Sequence, residues 1–415
     1  MSTRWVLLLM LFGSAQADWS GRLEAGVRGG SAQSGIVGAL EQRADLLYRD
    51  PSNDRRAGIS LAWREDDTGQ AEVYDLWVEQ RLAAPAAGSG LEVLRLGRMQ
   101  LADGLGYHLL DGLSMSGSLQ PSEKGLSWRA YAGRPLRIDD FFSASGRLLL
   151  GSQLRFGERP FGGFDKASGQ LEWQWLDDGD SRHYLGWQVD LAQPWRPQDG
   201  QRLNLRFRGH CAMDPGYCEE LELGGDLELE RDRLLRLEYA TWNADEDEDP
   251  QTFKARFYSD FNRGRQHRLE AALDLKTAYN RRWSLSAQGL WRDLGGSGGA
   301  AGLSLVQHDE NGRVQRAELD YRFLQEDHAF TGSYDLQQTL SADLRLRLGG
   351  ALQFSRNALR GLERLAGARL ELEQRLRSGL YLKLSWARWW DSLLADEYRF
   401  SLKLSYRFDS RRRPQ

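Results

Sequence analysis

Near its C-terminal end the chain alternates strictly between apolar and polar residues. Phe400, Leu402, Leu404, Tyr406 and Phe408 fill one set of positions, and Arg399, Ser401, Lys403, Ser405 and Arg407 the other. Side chains of a β-strand point alternately to its two faces, so this segment has one apolar and one polar face. The same period recurs in runs of about ten residues, each ended by Gly, Asp, Asn or Pro. Ile59, Leu61 and Trp63 oppose Ser60, Ala62 and Arg64 in the first clean run. Tyr74, Leu76 and Val78 then oppose Asp75, Glu79 and Arg81, with Trp77 on the polar side. Further on, Leu203, Leu205 and Phe207 alternate with Arg202, Asn204, Arg206 and Arg208, and Leu221, Leu223, Leu227 and Leu229 with Glu220, Glu222, Asp226, Glu228 and Glu230. Ala317, Leu319, Tyr321 and Phe323 oppose Arg316, Glu318, Asp320 and Arg322 in the same way.

Such runs predict an all-β fold, a single transmembrane antiparallel β-barrel of about 22 strands within a range of roughly 16 to 26. Leucines and aromatics would face lipid, polar residues would line the lumen, and periplasmic turns would be shorter than outer loops. A soluble propeller would need blade-length repeats, which the chain lacks, and a large sandwich would need mostly buried strands. Roughly half of each run is polar or charged instead.

Composition changes this picture little. A mean hydropathy of −0.59 suits a barrel, because lumen positions cancel lipid-facing ones in any average. A net charge of −4 argues against a basic nucleic-acid binder, and 15 Trp, 14 Tyr and 15 Phe against a disordered acidic chain. Residues 1–17 read as a signal peptide: Arg4, the apolar run from Trp5 to Phe12, and the Ala15-Gln16-Ala17 cleavage pattern. Residues 18–408 then form the barrel and 409–415 a short polar tail. The expected location is the outer membrane of a Gram-negative bacterium, with lipid and the barrel-assembly machinery as partners. Cys211 and Cys218, close together in an exported chain, read as a disulfide. Neither zinc nor haem spacing is present, and no metal or cofactor is expected.

The final strand, Phe400 to Phe408, resembles the C-terminal assembly signal of bacterial outer-membrane proteins, from which the tail after Phe408 departs. The stretch Leu94-Arg95-Leu96-Gly97-Arg98-Met99-Gln100, followed by Gly104-Leu105-Gly106 and Leu110-Asp111-Gly112-Leu113, faintly resembles a segment of alginate-export-like and related porins. That resemblance covers residues 94–117, and Met99 stands where the pattern usually has Gln. It implies fixed cations, Arg95 and Arg98, near a constriction, with Gly-rich backbone letting a loop fold into the lumen. A bulged strand and turn with ordinary charge pairing is the plainer reading.

Pore-lining candidates are Arg95, Arg98, Arg202, Arg206, Arg208, Glu222, Glu228, Arg345, Arg347, Arg369, Glu371 and Glu373. The arginines could form a ladder for anionic solutes, but carboxylates on the same runs favour a neutralised wall. The acidic run Asp245 to Asp249 has oxygen ligands suited to calcium but lacks the EF-hand spacing, so a solvated loop is expected. Gly295-Gly296-Ser297-Gly298-Gly299 matches G-x-S-x-G formally but reads as a turn, and no catalytic residue is assigned. The function expected is a porin-like channel for polar or anionic solutes or polysaccharide. Two alternatives stand beside it: a sheath for a periplasmic or lumen-bound partner such as a multihaem cytochrome, and, more remotely, a barrel-embedded hydrolase.

Overall fold

A computed structural model describes residues 18–32, 35–50, 52–65, 70–82, 90–103, 105–119, 125–136, 148–177, 181–196, 201–213, 216–230, 232–244, 264–292, 296–309, 311–325, 327–357, 361–391 and 397–410. The leader, the acidic run 245–249 and residues 411–415 lie outside them. All regular structure among the described residues is β. The strands are β1 (Asp18–Ala32), β2 (Gly35–Asp50), β3 (Arg55–Glu65), β4 (Gln70–Arg81), β5 (Val93–Asp103), β6 (Gly106–Ser118), β7 (Leu126–Leu136) and β8 (Leu148–Phe161). They continue as β9 (Phe164–Asp177), β10 (Ser181–Arg196), β11 (Gln201–Ala212), β12 (Tyr217–Glu230), β13 (Arg233–Ala244), β14 (Gly264–Ala278) and β15 (Arg281–Arg292). The last seven are β16 (Ser297–His308), β17 (Val314–Leu324), β18 (Asp327–Ser341), β19 (Leu344–Asn357), β20 (Gly361–Arg377), β21 (Leu380–Asp391) and β22 (Glu397–Asp409).

These strands form one 22-stranded antiparallel sheet, each strand beside its sequence neighbours, and β22 closes it onto β1. Closure removes every sheet edge, the requirement for backbone to cross lipid as β-structure. At the seam Leu402 lies opposite Val27 and Leu404 opposite Ala25. The polar phase meets inside, where Lys403 Nζ reaches Glu24 Oε2 at 3.0 Å. The last strand thus behaves as its alternation predicts, and Ser410 extends it by donating its N–H to the Trp19 carbonyl at 2.8 Å.

The apolar phase stays on the outside around the ring. Leu223, Leu237, Leu285, Leu319, Leu352 and Phe400 are all exposed there, the state of side chains that face lipid. Tyr74 departs from its expected face. A bulge in β4, where Ser60 pairs with Asp75 but Leu61 with Val73, turns Tyr74 inward. Its hydroxyl donates to Glu72, and Arg43 stacks over its ring at 5.8 Å.

Connections at the end opposite the termini are longer only at 137–147 and 245–263, while 82–92 at the termini's own end is long as well. The formal G-x-S-x-G match is not a turn throughout, since Ser297 already begins β16 opposite Trp291.

Candidate functional site: a hairpin folded into the lumen

The wall is interrupted at β5 and β6. Pairing between β4 and β5 runs from Arg81 with Val93 only to Leu76 with Arg98, and β5 then continues to Asp103 paired with β6 alone. At that point three glycines stand side by side across three strands, Gly97 opposite Gly112 and Gly112 opposite Gly133. Gly97 has φ +123°, and a Cβ there would lie 2.2 Å from the Leu76 carbonyl oxygen. Only glycine fits such a row, and it lets the sheet bend where backbones approach closely.

Beyond the row the β5–β6 hairpin lies inside the barrel. Its tip residue Leu105 reaches β10, where an ideal Cβ on Gly186 would sit 2.7 Å from Leu105 Cδ2. Asp103 accepts hydrogen bonds from the Tyr131 hydroxyl of β7 at 2.7 Å and the Gln174 amide of β9 at 3.0 Å. Met99, Leu101, Leu105 and Leu110 form a buried cluster with Tyr131, Leu149, Leu176, Tyr184 and Ala212. The tip has also left the lipid-facing surface. Leu96, before the bend, is 63% exposed, whereas Leu109, in the corresponding outward phase beyond it, is 2% exposed.

Water inside the barrel supplies a hydrophobic driving force for this docking that lipid outside does not. Burying a Leu or Met side chain is worth about 1.5–3 kcal/mol, so the four hairpin residues together hold the tip by several kcal/mol as an upper estimate. The hairpin takes up lumen space on the β7–β10 side of the barrel.

Polar groups replace the ladder lost between β4 and β5. Arg98 holds Asp111 in a two-pronged pair, both contacts 2.7 Å, and donates to the Val73 carbonyl of β4 at 3.1 Å. Asp75 accepts from the backbone N–H of Gln100 at 3.3 Å and from its side-chain amide at 3.1 Å. Arg98 is therefore in phase with Leu96, on the face of β5 opposite Arg95, where it fastens the bent hairpin. The stretch thus shares features of both readings: the hairpin folds against the inner wall, while Arg95 and Arg98 are held in ordinary charge pairs and Arg98 lies off the lumen face.

Arg95 lies on the lumen side. Its Nη2 contacts the buried Glu79 at 2.5 Å, and its guanidinium stacks over Trp77 at 4.3 Å. Together with Arg129 and Arg155 it lines a recess of about 350 Å³ that also carries Glu92, Ser114, Ser116, Ser118, Ser127 and Gln153. Ser118, Ser127 and Arg155 are shared with an adjoining recess of about 470 Å³ that extends to Gln170, Gln188 and Asp190. Arg129 donates to Ser114 Oγ at 3.4 Å, and neither Arg129 nor Arg155 has an ion-pair partner among the described residues.

The other candidates line a different kind of wall. Arg208 meets Glu220 and Glu222 at 2.8 and 2.9 Å, and Arg206 turns to Asp190 at 3.3 Å because its opposite residue on β12 is Gly224. Arg347 and Arg369 converge on Asp335, an acceptor that the linear reading had not singled out. Glu371 pairs with Lys383 at 2.8 Å. Arg345 faces Glu373 in register, Arg202 stands opposite Pro194, and Glu228 stands opposite Leu234 next to a register shift, in phase with Asp226. Arg129 and Arg155 were legible in principle, since Trp128-Arg129-Ala130 and Leu154-Arg155-Phe156 alternate like the rest. Leu105 and Gly186 carried no local signal.

Cys211 and Cys218 are opposite each other on β11 and β12 and form a disulfide. It closes the hairpin beside Ala212, a member of the apolar cluster, and Tyr217, which packs against it. Among the described residues no three His, Cys, Asp or Glu side chains gather as a metal site.

No protein-family model matches the chain, and no curated protein matches it in sequence. Solved structures do. The siderophore receptor PirA from Pseudomonas aeruginosa aligns over 94% of this chain and 80% of its own with a TM-score of 0.57 at 12% identity. OccAB1 from Acinetobacter baumannii aligns over 95% and 97% with a TM-score of 0.49 at 10% identity. OpdQ from Pseudomonas aeruginosa aligns over 96% and 100% with a TM-score of 0.46 at 11% identity. Closed ring, lipid-facing apolar phase and the alignment with PirA agree that the chain has the fold of a bacterial outer-membrane β-barrel.

Proposed function

We propose that the protein is a porin-like channel that passes small polar solutes and favours anionic ones. The observation that carries this reading is the recess beneath the hairpin. There, among the described residues, Arg129 and Arg155 stand without ion-pair partners beside serine and glutamine side chains and a single carboxylate, Glu92, in a lumen whose other cations are largely paired. A recess of some hundreds of Å³ with a few convergent polar groups suits a small ligand. Free guanidinium groups in a narrowed passage raise the local concentration of anions and lower their entry barrier. The hairpin occupies lumen that a guest protein would need, which weighs against the sheath reading.

Single-channel conductance of the refolded chain in a planar bilayer, with reversal potential in a salt gradient, tests the proposal. Discrete steps with anion preference that falls in Arg129→Gln and Arg155→Gln are expected. A folded barrel with no conductance would sink the channel reading.

A further inference from the structure

We infer that Gly186, on a strand four removed from the hairpin's own β6, sets the size limit of the pore by seating the hairpin tip. This rests on the channel reading above and names the residue that positions its constriction. The tip is held against the wall at one place where the wall has no side chain. An ideal Cβ on Gly186 would lie 2.7 Å from Leu105 Cδ2 and 3.0 Å from Leu105 Cγ, so the leucine fills the space that any other residue would occupy. Backbone conformation does not demand glycine there, because Gly186 is in regular β-pairing with both Glu172 and His210 and lies outside the positive-φ set. The absent side chain therefore serves the contact and not the strand.

Leu105 is 1% exposed and sits in a cluster whose other hairpin members are fully buried, so it has little room to rotate away from an added methyl. Close-packed side chains transmit such an overlap as displacement. The free direction is toward the barrel axis, because wall lies on the other side. A methyl on Gly186 thus pushes the tip into the aperture, and removing volume from Leu105 returns it. The size limit of the pore is a property of this pair, although the two residues are far apart in sequence and the solute touches neither.

Gly186→Ala and Gly186→Ala/Leu105→Ala are compared with wild type by unit conductance and by liposome swelling with neutral sugars of increasing size, on barrels shown to be folded by heat-modifiable migration. Gly186→Ala should lower conductance by about two-fold and shrink the largest sugar admitted, and the double variant should recover both. Unchanged or higher conductance in folded Gly186→Ala, or no recovery in the double variant, overturns the inference. A second measurement does not depend on how Gly186→Ala folds. Sulfur atoms at Leu105→Cys and Gly186→Cys fall within disulfide reach given the 3.0 Å separation. The bond should form spontaneously and leave conductance at the wild-type value, because the tip is already seated. Failure to cross-link, or a conductance changed by the cross-link, overturns the inference equally. Wild-type barrels silent in every assay would instead overturn the channel reading, a result distinct from all of these.

Discussion

The arc from β5 to β10 and the arc from β11 to β22 are built on the same alternation and do opposite things with it. On the second arc the lumen phase is a mesh of ion pairs, with Asp274 between Arg236 and Arg282 and Asp335 between Arg347 and Arg369. Each strand there pairs with its neighbours over most of its length. On the first arc the lumen phase becomes apolar above the glycine row, one hairpin leaves the wall, and arginines below it lie open. A charged wall that satisfies itself is a good liner and a weak discriminator. On the channel reading proposed above, selectivity needs groups kept from satisfying one another, and the bent hairpin supplies the narrow place where such groups matter.

The largest effect should come from the bend. Gly97→Val adds a β-branched side chain at φ +123° with its Cβ against the Leu76 carbonyl. Strain of this kind costs about 1–3 kcal/mol, and the steric overlap adds to it. We expect the hairpin to lose its seat, visible as higher conductance with noisy substates, and denaturant resistance in lipid to fall. Leu101→Ala, inside the cluster, should cost about 2–4 kcal/mol locally, read as faster hydrogen exchange across β5 and β6 while β14–β20 is unchanged. Arg98→Ala leaves Asp111 without its fork and should cost about 1–2 kcal/mol, less than for a fully buried pair because both side chains retain solvent access. The reversed pair Arg98→Asp/Asp111→Arg should recover part of that loss. Arg322→Ala, on the plain wall, removes an exposed pair with Asp320 and should stay within about 0.5 kcal/mol. An Arg322→Ala effect as large as that of Arg98→Ala would erase the distinction between the two arcs.

Alternation alone was enough to indicate the barrel, its approximate strand number, and the faces of Phe400, Leu402, Leu404 and Tyr406, because in a closed sheet one local rule assigns every side chain to lipid or lumen. The Cys211–Cys218 bond was legible for a similar reason, being a local event within one hairpin. Where the local rule slips, the reading slipped with it. The β4 bulge carries Tyr74 inside, and a bulge depends on the partner strand. Arg95 and Arg98 looked alike in the linear text, yet a bend at Gly97 gives one to the lumen and the other to the back of the hairpin. Asp335 was invisible as a partner for Arg369 because 34 residues separate them.

Taken by itself, then, the amino-acid order determined a ring of strands with an apolar outside and a charged inside, since both follow from a period of two repeated until the sheet closes. Only the tertiary structure decided that the ring is narrowed on one side, which arginines are left open, and that Leu105 rests on Gly186. Those outcomes depend on register between strands distant in sequence, and register appears only when the whole barrel has closed.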